Sequence, residues 1–203
     1  MNIIFSFILA YLLGAIPSGF ILGKLQNIDI REHGSKNIGA TNTFRVLGPM
    51  PGIISLLFDI AKGFFAVYFA RMLLFGFAGT ILQPLLALTG LLAIMGHVFS
   101  IFLKFKGGKG VATGAGVFLN ILPIPSLAAL IIFIITLIIS RYVSLASILA
   151  IVSFFIIELI LNLPEFNEFT YLIFSFIIMI LILVRHKENI KRLKQGNENK
   201  LNL

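Results

Sequence analysis

Residues 104–116 read KFKGGKGVATGAG, three lysines and five glycines inside an otherwise strongly apolar chain. Lysines supply cations, and glycines let backbone approach a ligand closely. Gly107, Gly108 and Gly110 can turn successive backbone N–H groups outward, while the positive end of a following helix is aimed at the same place. Such a place suits an anion. The stretch is no Walker A motif, and Gly108-x-Gly110-x-x-x-Gly114 misses the dinucleotide spacing by one residue, so nucleotide hydrolysis and a dinucleotide site are poorly supported. A plainer reading has Gly110, Gly114 and Gly116 making small-xxx-small contacts between membrane helices. That accounts for Gly110 and Gly114 but leaves the lysines and the Gly107–Gly108 pair without a task.

Two further segments carry polar chemistry. DIREHGSKNIGATNTFRVLG (29–48) is longer than a connector needs to be. Ser35, Asn37, Thr41 and Asn42 offer hydrogen-bond donors and acceptors, and Arg31, Lys36 and Arg45 offer cations. An arginine can hold a phosphate through two parallel hydrogen bonds. The bland alternative is a solvated, turn-rich loop. The tail, RHKENIKRLKQGNE (185–198), places His186 and Asn189 three apart, on one face of a short helix. There a histidine can accept a proton near neutral pH, although a basic membrane anchor would need only the lysines and arginines. No cysteine is present, which excludes disulfides, thiolate metal sites and a cysteine nucleophile. The three histidines, at 33, 97 and 186, show no metal-ligand spacing, so no metal site is expected.

The elements that must position these groups are membrane helices. With 59% hydrophobic residues, 12% charged residues and a mean hydropathy of +1.05 over 203 residues, the chain is too apolar for one soluble domain. Apolar runs at roughly 3–23, 53–76, 79–103, 110–122, 125–140, 144–162 and 169–184 predict seven crossings, the fourth being short for the purpose. Charge decides in its favour. With all seven crossing, 14 of the 16 lysines and arginines fall on one side, in 24–52, 104–109, 141–143 and 185–203. The opposite side holds only Glu165 and Glu168. The positive-inside rule makes the basic side cytoplasmic. The expectation is therefore an all-α integral membrane protein with seven transmembrane helices, N-terminus outside and C-terminus inside. It forms a single polytopic domain over 1–203, with 185–203 as a cytoplasmic tail. The first run carries no preceding basic residue and no cleavage pattern, and reads as a retained helix.

Ionisable residues within spans each call for an account. Asp59 and Lys62, three apart, can neutralise one another. His97 lies about two turns before the cytoplasmic end of its span; it either lines a pocket or satisfies a buried carbonyl. Arg71 and Glu158, near the outer ends, are expected to snorkel.

Taken in order, five motifs resemble the bacterial membrane glycerol-3-phosphate acyltransferase family that uses acyl-phosphate as donor. They are GAIPSGFILGK (14–24), GSKNIGATN (34–42) with Arg45 beyond it, DIAKG (59–63), GHVFSIFLKFKGGKGVAT (96–113) and RHKENIKRL (185–193). The resemblance implies a seven-span enzyme of the bacterial cytoplasmic membrane with its active site on the cytoplasmic side. It places Ser35 and Arg45 at glycerol 3-phosphate. Gly107, Gly108 and Gly110 go to the acyl-phosphate, with Lys104, Lys106 and Lys109 as candidate phosphate cations. His186 and Asn189 look like the family's final substrate-site pair. Asn37, Thr41, Asn42 and His97 join these as expected substrate contacts. Two positions depart from the commonest form: Ala15 where serine often follows the glycine, and Ser100 where proline often stands.

The implied partners are glycerol 3-phosphate, a fatty acyl-phosphate and membrane lipid. No cofactor, metal or nucleic acid is implied, and a monomer is expected. An acyl-phosphate is already electrophilic, so positioning and charge stabilisation suit a chain with no Gly-x-Ser-x-Gly elbow and no His-x-x-x-x-Asp pair. Two other classes compete. A transporter for a phosphorylated solute would use the same cations, but would ordinarily show repeated halves and broken helices near the midplane. A lipid-binding scaffold would leave Ser35, Asn37, Asn42 and the glycines idle.

Overall fold

The computed structural model describes residues 2–77, 81–162 and 169–201; Glu165 and Glu168 lie outside the described residues. Among the described residues, regular structure is helical throughout, and it gathers into two compact units, Met1–Ile121 and Leu122–Leu203.

The first unit contains α1 (Asn2–Ala15), α2 (Ser18–Leu25), α3 (Ala40–Leu47), α4 (Pro49–Leu73), α5 (Leu82–Val98), a 3-10 turn at Ile101–Leu103 and α6 (Val111–Ile121). The run expected as one span over 3–23 is broken. Pro17 has no amide hydrogen, and α1 and α2 bend by 43° at that point. Opened carbonyls in apolar surroundings need donors from elsewhere. Ser100 Oγ donates to Ala15 O at 2.6 Å, and Lys62 Nζ donates to Ile16 O at 2.8 Å. The two departures from the common family pattern, Ala15 and Ser100, are thus direct partners.

Glycines set the helix approaches in this unit. A Cβ at Gly14 would run into the Ala93 carbonyl, and one at Gly96 into that of Tyr11, where α1 meets α5. Gly63 and Gly116 do the same where α4 meets α6, against the Thr113 and Ile60 carbonyls. The small-residue contact expected for Gly116 is present. Gly110 differs: with φ +86° it makes the turn from loop into α6. Arg71, exposed on α4 as expected, donates from Nε to Asn120 Oδ1 at 3.1 Å and so pins the end of α6.

Four helical stretches are long and apolar enough to cross a membrane, Pro49–Leu73, Leu82–Leu103, Pro123–Ser140 and Val143–Asn162. The count rises to six if each bent pair, α1 with α2 and Phe169–Arg185 with Lys187–Lys194, is one span. The fourth expected crossing corresponds to α6, whose 11 residues measure roughly 16 Å, about half of a 30 Å hydrocarbon core.

The second unit contains α7 (Pro123–Ser140), α8 (Val143–Asn162), α9 (Phe169–Arg185) and α10 (Lys187–Lys194). Along α7, Ile131, Ile134, Ile135, Ile138 and Ile139 are exposed, an apolar surface that suits lipid. Glu158 corrects the expectation of snorkelling. It continues the buried stripe Ser147, Ile151, Phe154 of α8, steps of four, three and four residues that keep one helix face inward, and is only 1% exposed. The tail bends by 58° after Arg185 and folds back, the Leu201 amide donating to Arg141 O at 2.8 Å.

Candidate functional site

In the first unit the loop between α2 and α3 is shaped by one amide side chain. Asn42, almost fully buried, donates from Nδ2 to Ile30 O (2.9 Å) and His33 O (3.2 Å), and its Oδ1 accepts from the Ser35 amide at 2.7 Å. All three bonds go to backbone, so the Asn42 side chain is committed to holding the loop, where a substrate contact had been expected. Gly34, with φ +58°, lies against this amide, and a Cβ there would run into Asn42 Oδ1. Asn37 Oδ1 accepts from the Gly39 amide at 2.9 Å and forms the turn into α3. Ser35 is left exposed at the loop surface. Thr41 and Arg45, four apart on α3, share a helix face and are half-buried.

The other loop cations differ in their commitments. Arg31 grips the Asp29 carboxylate through two bonds of 2.9 and 2.7 Å, and its guanidinium stacks on Phe20 at 4.5 Å. That hydrogen-bonded guanidinium holds the Asp29 carboxyl well below the usual carboxylate range. Lys24 closes on the same carboxylate at 3.4 Å.

The glycine segment corrects a second expectation. The amides of Gly107 and Gly108 are turned inward, donating to Val98 O at 3.1 Å and His97 O at 3.0 Å. Phe105 and Lys106 likewise donate to Ser100 O and Leu103 O. The segment therefore folds back on the end of α5, and its glycines serve close approach. A Cβ at Gly107 would meet the His97 and Val98 carbonyls, and one at Gly108 would meet the His97 imidazole at Nε2. Lys104 and Phe105 both take left-handed backbone conformations, φ 52° and 62°, which side-chain-bearing residues seldom adopt in succession. Lys104 and Lys106 are exposed and Lys109 is half-buried.

The two loops share a foundation. Ile30 and Ile38 of the first pack with Leu103, the residue just before Lys104, in one buried apolar cluster flanked by Phe20, Ile28, Val46 and Leu47. Beneath the glycine segment lies a polar cluster. Lys62 Nζ stands 2.8 Å from Asp59 Oδ1, the i, i+3 pair anticipated above, and 3.0 Å from His97 Nδ1. Ser18 Oγ donates to the same Asp59 oxygen at 2.8 Å.

In the second unit His186 and Asn189 are both buried. His186 Nδ1 lies 2.8 Å from Ile182 O; a carbonyl only accepts, so Nδ1 carries a proton and donates it. Asn189 Nδ2 donates to Glu198 Oε1 at 2.7 Å. Glu198 also accepts from Ser144 Oγ (3.0 Å) and Arg192 Nε (2.7 Å). Burial alone would push its carboxyl up, but the hydrogen bonds from Asn189, Arg192 and Ser144 outweigh that and leave it below the ordinary range. Sequence reasoning missed Glu198; its one visible signal was an acid within a basic tail.

The sequence profile of the glycerol-3-phosphate acyltransferase family matches residues 4–196. A glycerol-3-phosphate acyltransferase of Geotalea daltonii is 48% identical over 190 residues, 94% of this chain and 93% of its own. One from Staphylococcus aureus is 46% identical over 204 residues, covering 99% and 98%. Among solved structures, PlsY, an integral membrane glycerol 3-phosphate acyltransferase, superposes in its glycerol 3-phosphate form with a TM-score of 0.89 at 38% identity, covering 100% of this chain and 96% of that one. Its lysophosphatidic acid form gives 0.86. With matches extending over nearly its full length, the chain belongs to the glycerol-3-phosphate acyltransferase family.

Proposed function

We propose that the chain transfers a fatty acyl group from an acyl-phosphate to the 1-hydroxyl of glycerol 3-phosphate. The hydroxyl oxygen forms a bond to the acyl carbon and gives up its proton, to His186 or to the acceptor's own phosphate, while the bond from that carbon to the phosphate oxygen breaks and phosphate leaves with the electron pair. The product, 1-acyl-glycerol 3-phosphate, stays in the membrane. PlsY has been crystallised in forms with glycerol 3-phosphate and with lysophosphatidic acid, the acceptor and product of such a step.

The observation that carries this reading is the cluster of Ile30, Ile38 and Leu103. It sets the Ser35–Arg45 loop and the lysine-rich glycine segment on one base, so that two phosphate-bearing substrates can be held side by side. Arg45 and Ser35 are assigned to the acceptor phosphate, with Thr41 on the same side. Lys104, Lys106 and Lys109 are assigned to the donor phosphate, whose developing charge they stabilise as it departs. His186 and Asn189 of the tail motif are likewise assigned to substrate, as the resemblance implies.

The charge distribution supports seven crossings, with the short α6 as the fourth, N-terminus outside and C-terminus inside. On that reading the whole chain is one polytopic protein of the bacterial cytoplasmic membrane, acting as a monomer at its inner face. A transporter finds less support, because the polar motifs gather on the basic loops and the sequence has no internal repeat.

Purified protein offered glycerol 3-phosphate with palmitoyl-phosphate, palmitoyl-CoA or palmitoyl-acyl-carrier protein should form lysophosphatidate from the first. Product from the thioesters alone would retire the acyl-phosphate assignment.

A further inference from the structure

The ion pair of α4 reaches the first bent helix on both sides of its proline. Asp59 and Lys62 are buried and 2.8 Å apart. Lys62 Nζ donates at 2.8 Å to the carbonyl of Ile16, the residue before Pro17. Asp59 Oδ1 accepts at 2.8 Å from the hydroxyl of Ser18, the residue after it. Ser18 Oγ also lies 3.0 Å from Ser55 Oγ, one turn earlier on α4. A proline has no amide to fix the angle between the two halves of a broken helix, and a charge pair in an apolar span is costly to desolvate and points to a function. Here the pair bridges the break. The half it aims, α2, underlies the loop before α3. A Cβ at Gly19 would run into Ile38 O and Thr43 Oγ1, and one at Gly23 into Ile28 O and the Ile30 side chain, so α2 meets that loop and α3 with its backbone. Phe20 flanks the cluster of Ile30 and Ile38 and lies under the Arg31 guanidinium, while Lys24 meets Asp29.

We propose that Asp59 and Lys62 are positioning residues: they splint the Pro17 break, fix the direction of α2, and so set where Ser35 and Arg45 are presented to glycerol 3-phosphate. The proposal rests on the assignment of those two residues to the acceptor, and it gives the buried pair a reason to exist. Leverage makes the splint consequential. α2 has 8 residues and is roughly 12 Å long, so a swing of about 5° at Pro17 carries its far end about 1 Å. A misplacement of about 1 Å can cost on the order of 10²-fold in rate. The glycine segment takes its position from elsewhere, because the amides of Gly107 and Gly108 bond it to the end of α5. The effect of the splint therefore falls on the acceptor and spares the donor.

The absence of cysteine makes a direct test simple. Spin labels placed through Leu25→Cys, at the exposed end of α2, and Leu57→Cys, on the exposed face of α4, report the direction of α2 in the full-length protein in detergent. Their separation should be narrowly distributed in the otherwise unaltered chain. Asp59→Leu/Lys62→Met, which leaves no lone buried charge, should broaden it. Ser18→Ala supplies the kinetic test, since it leaves in place both the ion pair and the 3.0 Å approach of Lys62 Nζ to His97 Nδ1. It should raise the KM for glycerol 3-phosphate roughly fivefold, as for one lost hydrogen bond, and leave that for palmitoyl-phosphate within about twofold. If the paired variant does not fold, Ser18→Ala carrying the same labels takes its place, with a smaller broadening expected. An unchanged label separation, or a Ser18→Ala enzyme whose KM for the acceptor rises no more than that for the donor, overturns the proposal. A broadened separation in a protein that makes no lysophosphatidate from acyl-phosphate would uphold the splint and retire the reaction assigned above.

Discussion

His97 in the first unit and His186 in the second are both buried within motifs of the family, yet the groups that hold their rings differ. At His97 the neighbour of Nδ1 is Lys62 Nζ at 3.0 Å; at His186 it is the Ile182 carbonyl at 2.8 Å, to which the nitrogen donates. The same residue type is thus held in two different ways, and only its neighbours tell the two apart. The supports differ as well. His97 stands beside the Asp59–Lys62 pair inside a span, His186 beside the Ile182 carbonyl of the helix that ends just before it.

That contrast can be broken most directly at His186. Replacing it by alanine should lower kcat by about 10²- to 10⁴-fold, the range for a lost proton-transfer partner, with little change in the KM for the donor; initial rates across both substrates would show a donor effect if the contrast is wrong. Gly108→Ala should act on the other side, pushing the His97 ring aside and raising the KM for acyl-phosphate roughly tenfold while that for glycerol 3-phosphate holds.

The tail tests whether the His186 side needs its own clamp. Glu198→Gln should cost about 1–3 kcal/mol, read as a lower Tm in detergent. Because the folded carboxyl titrates below its unfolded value of 4.5, its contribution is complete above that pH and fades as pH falls through the lowered pKa. Acid unfolding of the wild type should accordingly narrow its stability gap to the variant. The smallest effect is expected at Ser100→Ala, about 1 kcal/mol for a hydroxyl bonded to the Ala15 carbonyl, with both KM values unchanged.

Much of this molecule is legible in its sequence for identifiable reasons. Apolar runs mark the helices because lipid tolerates little else, and Asp59 with Lys62 announces a pair because neither could stand alone there. What could not be read is what the chain does with its own backbone. Glycines that expose amides and glycines that admit close packing look alike in a string of letters, and only the bonds from Gly107 and Gly108 to the end of α5 separate them. Asn42 looks like a substrate contact until its three backbone bonds are seen. Glu158 sits near a span's end, yet its register with Ser147, Ile151 and Phe154 turns it inward. Glu198 reaches Ser144 across 54 residues, a separation no local pattern reports.

The inward-turned amides of the glycine segment have one more effect. A loop that has already bound its own donors keeps its contour whether or not a substrate is present, like a mould set before casting. On the proposed assignment of this segment to the acyl-phosphate, little ordering of the protein then remains to be done on capture, and the entropy lost on binding falls mainly on the flexible hydrocarbon chain of the guest.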